Sequence, residues 1–276
     1  MSISNNKVLI FGSNGMLGRY VYIYLKEFLN DYEIIPLTRK DFDILNDTFD
    51  KLKSLLQKYG NNNIIINCAG VIPQRSSFEN FKDFILVNSI FPHKLQEFSH
   101  SLDSKLIHIT TDCVFDGNKG NYNENDLHTE KNIYGVSKSI GEPLESCVIR
   151  TSIIGHELFN KKSLLEWIIS KKDNTINGFV NHYWNGVTCL TLSKIIYQII
   201  INNLYWSGIR HIYSPDTLSK YDLCCIINEV YELNLNINKF ETTIVDKSLS
   251  SIYKNYFSIN SLKEQIYEMK KYNIYQ

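Results

Sequence analysis

The sequence predicts an α/β fold, a doubly wound parallel sheet with a smaller C-terminal substrate domain. Three observations predict it. Strand-like and helix-like segments alternate from Lys7 to Ser152. The strand segments are apolar on both faces, as in parallel sheets covered by helices on both sides. A glycine-rich turn separates the first strand from the first helix.

Each element has its own signal. Lys7 to Phe11 is an apolar run stopped by Gly12, and Leu17, Val21, Leu25 and Phe28 follow at helical spacing. Glu33 to Leu37 reads as a second strand, with Pro36 expected to mark its end. Phe49, Leu52, Leu55 and Leu56 mark a second helix, and Ile64 to Ile66 a buried strand. Phe78 to about His100 is expected to be helical, bent or restarted at Pro92. Lys105 to Thr110 is a strand, Tyr134 to about Glu145 a helix, and Cys147 to Ser152 a strand. The second half is less regular. Helices are expected at Ser163–Lys172, Thr191–Asn202, Ser219–Leu233 and Ser261–Tyr272, and a strand at Ile209–Tyr213. The expected division is residues 1–155 for the cofactor domain and 156–276 for the substrate domain. A segment near 188–215 is expected to return to the first.

Composition narrows the function classes. The chain has 276 residues, 43% hydrophobic and 21% charged, enough apolar surface for a packed core. Its 29 basic and 29 acidic side chains cancel, which argues against nucleic acid as a partner. No apolar run approaches the roughly 20 residues of a membrane span. Val8 to Phe11 runs into the glycine turn, so no signal-peptide core is expected. None of the six cysteines forms a C-x-x-C pair, so reduced thiols in a cytoplasmic compartment are expected, with no metal site.

Gly12-Ser13-Asn14-Gly15-Met16-Leu17-Gly18 has the spacing G-x-x-G-x-x-G. Glycines there allow a tight turn, a close approach to a pyrophosphate and close packing of helix on sheet. The helix N-terminus then offers N–H groups and a positive dipole end to the phosphates. This is the dinucleotide-binding, Rossmann-type arrangement. The second strand ends in Thr38-Arg39-Lys40. An acid there would favour NAD; two cations suit a ribose 2′-phosphate and hence NADP(H).

Tyr134-Gly-Val-Ser-Lys138 is a Y-x-x-x-K pair at the start of a predicted helix. Residues four apart share a helix face. A nearby ammonium eases ionisation of a phenol, so such a tyrosine can move a proton near neutral pH. With 18 tyrosines in the chain the pair alone is weak; its position after the fourth strand segment, downstream of the glycine turn, strengthens it.

Here the chain resembles the extended short-chain dehydrogenase/reductases, nearest the dTDP-4-dehydrorhamnose reductase branch. Gly12/Gly15/Gly18, Asp41-Phe-Asp43, Asn67-Cys-Ala-Gly70, Asn88, Thr110 to Phe115, Gly117, Tyr134 to Lys138 with Gly141-Glu142, and Arg150-Thr-Ser152 carry the resemblance. It weakens after Gly155, although Ser163 to Trp167 and Asn181 to Thr188 resemble the substrate domain of sugar-nucleotide members.

The resemblance implies a catalytic trio. Tyr134 would donate a proton to a carbonyl oxygen, Thr111 would hydrogen-bond that oxygen, and Lys138 would tune the tyrosine and hold the nicotinamide ribose. Asp43 would lie near the adenine; Asn67, Cys68, Ala69 and Gly70 would line the pyrophosphate and ribose; Asn88 would support the active-site helix. Gln74, Arg75, Trp167 and Asn181 are candidates for touching the substrate. The implied reaction is NADPH-dependent reduction of a UDP- or dTDP-linked 4-keto-6-deoxy hexose. A homodimer is the family-level expectation.

The residue after Thr111-Asp112 discriminates among relatives. Sugar-nucleotide dehydratases carry a glutamate there, and this chain has Cys113. The GDP-fucose synthase-like epimerase/reductases resemble it in having a cysteine two residues after the catalytic Ser/Thr. A thiolate could take protons from carbons beside the ketone. Cys113 therefore reads either as an epimerisation acid/base, with Lys161, Lys162 or His156 as its partner (Lys161 preferred), or as a small packed residue. The alternatives to a reductase are an epimerase without net redox change and a catalytically silent NADP-binding regulatory subunit.

Overall fold

The structure, a computed structural model, describes residues 6–73, 80–159, 161–254 and 256–275. Strand β1 (Asn6–Phe11) is an inner strand of a six-stranded sheet. It pairs in parallel with β2 (Tyr32–Leu37) on one side and β3 (Ile64–Asn67) on the other. β4 (Lys105–Thr111) pairs in parallel with β3, and β5 (Cys147–Thr151) and a sixth strand (Gly208–His211) continue the sheet. The order is therefore sixth strand, β5, β4, β3, β1, β2. The chain builds outward from β1 to β2, then crosses back to β3. Ligands of such sheets bind at this reversal, beyond the carboxyl ends of the strands.

The strand sequences explain the sheet. Val8 to Phe11 and Ile64 to Ile66 are buried throughout. Leu9, Phe11 and Ile65 pack on Leu52 and Leu56 of helix α2 (Phe49–Tyr59) and on Phe91, Leu95 and Phe98. Each such side chain contributes roughly 1.5–3 kcal/mol of burial. Pro36 does not end β2 but lies inside it, opposite Ile10. The sheet order makes β2 an edge strand, where a residue without an N–H costs no ladder bond.

Pro92 lies where the α-helix restarts, as expected. Phe81–Phe84 is α-helical, Ile85–Ile90 widens into a π-helix, and Phe91–Ser101 resumes the α-helix with Pro92 in its first turn. Pro92 has no N–H to give to the Asn88 carbonyl four residues back. That carbonyl faces Gly141, where an added Cβ would lie 1.7 Å from Asn88 O.

The chain divides into two units, each interleaved along the sequence. The first comprises residues 1–110, 131–149 and 193–209; the second comprises 111–130, 150–192 and 210–276. The second unit contains short strands that the pattern reading missed. His182–Trp184 lies between Leu218–Ser219 and Val245–Asp246; Thr175–Phe179 pairs with Asn236–Phe240 in parallel. Strands of two to five residues are too short to show a period. Its helices Lys220–Tyr231 and Leu262–Lys271 begin with complete capping boxes, Ser219/Asp222 and Ser261/Glu264. Among the described residues no helix is long and apolar enough to cross a membrane.

Gly141→Ala tests the close packing of the π-segment. Its φ is negative, so the cost comes from contact with backbone and not from conformational strain. We expect a loss of about 2 kcal/mol or more in urea denaturation. Wild-type stability would show that the π-segment can move away from this helix.

Candidate active site

The glycine turn occupies the switch point of the sheet. Gly12 has φ +74°, and a Cβ on it would lie 2.8 Å from Ala69 N. A Cβ on Gly18 would lie 2.1 Å from Gly12 O. The turn can close only without those side chains. Ser13 Oγ donates to Leu37 O at 3.0 Å, fastening the turn to the end of β2. Helix α1 (Met16–Phe28) starts at Gly15 with no side-chain cap. Asn14 is exposed, Met16 half-buried, and Leu17 belongs to the core. The cradle that side chains would fill, and the uncapped helix start above it, fit a dinucleotide pyrophosphate.

The loop after β2 is shaped by its own acids. Asp41 Oδ2 accepts from Thr38 N at 2.8 Å and Thr38 Oγ1 at 2.9 Å. Asp43 accepts from Leu45 N at 3.0 Å and from Asn46 Nδ2 at 2.9 Å. Both carboxylates are thus engaged within the loop, while Arg39 and Lys40 are exposed and form no ion pair among the described residues.

At the end of β3, Asn67 turns inward. Its Nδ2 donates to His108 Nδ1 at 3.0 Å and its Oδ1 accepts from Ala69 N at 3.0 Å. Burial, then the charge of Lys138, hold His108 well below the usual histidine range, so it is neutral. Asn67 therefore sets the path of Cys68, Ala69 and Gly70. Burial likewise raises the Cys68 thiol to about 12. Gln74 and Arg75 fall outside the described residues.

Asn132 caps the helix Ile133–Ile140 by accepting from Gly135 N at 2.9 Å, which puts Tyr134 in the first turn and Lys138 one turn on. The Tyr134 ring meets Phe84 edge-on, centroids 6.5 Å apart. Asn88, from the π-segment, holds this helix in place. Its side chain accepts from Val71 N at 2.9 Å and donates to Val71 O at 2.9 Å and Ser137 Oγ at 3.1 Å. Ser89 Oγ donates to Ser137 O at 2.7 Å. The π-geometry that aims Asn88 has no sequence signal apart from Pro92.

Lys138 is buried, with Nζ donating to Ile109 O at 3.2 Å. Burial lowers its pKa to about 8, against the opposing pull of Glu142 and Cys68. Thr111 closes the same strand two residues beyond Ile109.

Thr111 opens the second unit. Its Oγ1 accepts from Cys113 N at 3.1 Å and lies 3.1 Å from Asp112 Oδ1. The turn rests on Phe115, which stacks on Tyr122 at 4.2 Å and carries the guanidinium of buried Arg150 at 5.2 Å. Arg150 donates to His211 Nε2 at 2.9 Å and His128 Nε2 at 2.6 Å. Burial and then Arg150 push His211 down to about 4, so it accepts this bond as a neutral ring.

Burial, and next the Asp112 charge, raise the Cys113 thiol to about 12, so it is protonated at neutral pH. The cations that act on it and on Asp112 are Lys220 and Lys247. Pattern reading passed over both. Lys161 is exposed on its loop at φ +45°. His156 is held between Glu166 Oε1 at 3.1 Å and Tyr231 OH at 2.8 Å. Trp167 is 40% exposed on a short helix, and Asn181 is buried, its side chain bracing the backbone of Thr242.

A glycine cradle at the switch point and a Y-x-x-x-K helix with a buried lysine define an extended short-chain dehydrogenase/reductase. The RmlD substrate binding domain family matches residues 6–248, and the chain belongs to this dTDP-4-dehydrorhamnose reductase-like family. The chain is 30% identical over 238 residues to a dTDP-4-dehydrorhamnose reductase of Aggregatibacter actinomycetemcomitans, covering 80% of this chain and 78% of that one. It is 24% identical over 262 residues to methionine adenosyltransferase 2 subunit beta of Xenopus laevis, covering 84% and 74%. The fold matches a crystal structure of dTDP-4-dehydrorhamnose reductase from Bacillus anthracis in complex with NADP, with TM-score 0.82, 22% identity, and 96% and 98% of the two chains covered.

The burial of Lys138 predicts a pH signature. An unfolded lysine keeps its proton up to about 10.5, whereas the folded one releases it near 8. Between these values the unfolded state binds more protons, so this residue's contribution makes stability rise with pH. In Lys138→Met that contribution should vanish. Urea midpoints of the two proteins from about pH 7 to pH 10 check it; parallel curves would mean that Lys138 is not desolvated.

Proposed function

We propose that the chain is an NADP-dependent oxidoreductase that reduces the 4-keto group of a nucleotide-linked 4-keto-6-deoxy hexose, UDP- or dTDP-linked. The observation that carries this reading is the Tyr134–Lys138 helix turn, braced by Asn88 and with its lysine out of water. Family membership supports it, since relatives are named dTDP-4-dehydrorhamnose reductase and dTDP-4-keto-6-deoxy-D-glucose reductase.

The cofactor would rest its pyrophosphate on the Gly12–Gly18 turn and its 2′-phosphate against Arg39 and Lys40. A structure of similar fold holds NADP. When bound, the nicotinamide supplies the hydride to carbon 4. Tyr134 gives its hydroxyl proton to the carbonyl oxygen. The Lys138 ammonium stabilises the tyrosinate left behind, and it carries its charge below about pH 8. Rates should therefore fall as pH rises through that value. Thr111 supplies the second hydrogen bond to the same oxygen, which lowers the barrier as charge develops there.

Epimerisation beside the ketone would need a base. Cys113, held as a neutral thiol, is in the wrong state to take a proton. The proposed reaction is therefore reduction alone.

Tyr134→Phe should lower turnover at least about a hundredfold while NADPH quenches protein fluorescence as before; near-normal turnover removes Tyr134 from the chemistry. Reversing the charge at Arg39 and Lys40 together should raise the KM for NADPH by about tenfold or more, from the loss of charge-assisted bonds, with little change for NADH. An equal effect on both cofactors would remove these cations from the 2′-phosphate. The central experiment mixes enzyme, NADPH and UDP- or dTDP-4-keto-6-deoxyglucose in deuterated water. Cofactor oxidation with no ring deuterium is expected. Ring deuterium would make Cys113 an epimerisation residue. Tight NADPH binding without oxidation of either sugar would point to the binding role that the subunit-beta relatives bring to mind.

A further inference from the structure

Two carboxyl groups of the second unit, Glu157 and Glu166, are buried close together in the sequence. A buried carboxylate costs free energy unless donors take up its lone pairs. Here the donors come from the loop that joins the two residues. Glu157 Oε2 accepts from Lys162 N at 2.6 Å and from Ser163 N at 3.0 Å, which closes the loop on itself. Glu166 Oε1 accepts from Glu157 N at 3.1 Å and from His156 Nδ1 at 3.1 Å.

His156 joins this loop to the rest of the unit. Its Nδ1–H points at Glu166, on the short helix Leu164–Ile169. Its Nε2 shares a hydrogen bond of 2.8 Å with the hydroxyl of Tyr231, the last residue of the helix Lys220–Tyr231. The two rings meet edge-on, centroids 5.5 Å apart. Lys270, from the helix Leu262–Lys271, donates to Val230 O at 2.7 Å and lies 5.8 Å over the Tyr231 ring. One imidazole therefore ties the loop to two helices, and a third buttresses the joint.

The groups held outward by this clamp are aromatic and cationic. Phe159 is 61% exposed, and Lys161, Lys162 and Trp167 are exposed beside it in the sequence. Glu166 is turned in and the next residue, Trp167, is turned out. Rings and ammonium groups together suit a nucleoside diphosphate: rings cover the base and cations meet the phosphates. The clamp also begins just past the carboxyl end of β5, which closes at Thr151. Ligands of such sheets bind beyond those ends.

We propose that His156, Glu157 and Glu166 are positioning residues that clamp this loop in one shape, and that the shape receives the nucleoside diphosphate part of the substrate. They act through the loop and do not touch the reacting atoms. The inference rests on the proposed reductase reading for its ligand, but not for the clamp itself.

Two readouts test it. The first is limited tryptic digestion of the folded protein, with cleavage after Lys161 and Lys162 followed by mass spectrometry. The N–H groups that Glu157 holds belong to the two peptide bonds that trypsin cuts, so the rate reports how often the clamp opens. Glu166→Leu should speed cleavage about tenfold or more, through loss of hydrogen bonds to a carboxylate. Glu166→Gln keeps an oxygen for both donors and should restore slow cleavage. Tyr231→Phe removes a single oxygen and should speed cleavage by a smaller factor. It serves in place of the leucine variant should thermal denaturation show that one unfolded. The second readout is the Kd of UDP and of dTDP by calorimetry. For whichever nucleotide the wild type binds, Kd should rise about tenfold in Glu166→Leu and recover in Glu166→Gln, while the Kd of NADPH stays constant. Cleavage indifferent to Glu166→Leu and Tyr231→Phe overturns the clamp. Nucleotide binding that the wild type lacks, or that ignores Glu166, overturns the ligand. Should neither keto sugar be reduced while cleavage and nucleotide binding both follow Glu166, the reductase reading fails and the clamp stands.

Discussion

Putting the Lys138 ammonium out of water is the constraint around which the first unit is arranged. A buried cation needs an acceptor, and Ile109 O supplies it from the strand beneath. It also needs a helix that cannot drift, because a shift of an ångström would break that bond. The π-segment meets this need. Asn88 ties the helix to Val71 through Ser137, and Gly141 lets the two backbones touch.

The second unit uses a comparable device with another cation. Arg150 is fully buried, and its guanidinium lies on Phe115 between two histidines. A neutral His211 can accept from it because burial and Arg150 itself keep that ring unprotonated. The result is a rigid floor for the turn from Thr111 to Phe115. In the same unit Lys247 Nζ lies 3.2 Å from Glu130 Oε2. Rigid support is what a group that must present a hydrogen bond requires.

The two units differ in how far they were legible. Strands β1 to β5 and their helices were readable because long apolar runs and a glycine turn carry strong local signals. Lys220 and Lys247 were not, because nothing near them in sequence marks a charge cluster; the cluster exists only once a helix start and a strand end converge on Asp112. Lys161 shows the converse. It lies in a loop where a catalytic partner was expected, and that loop leaves it in solvent.

By itself the sequence determined the parallel sheet, the glycine turn, the tyrosine–lysine spacing and the cations after β2. All of these follow from local propensity, from the absence of a Cβ, or from residues a few positions apart. Tertiary structure alone decided the protonation states: a lysine near 8, a cysteine near 12 and a histidine near 4. The physical reason is desolvation. The free energy of a charge depends on what surrounds it in three dimensions, and no spacing along the chain records that.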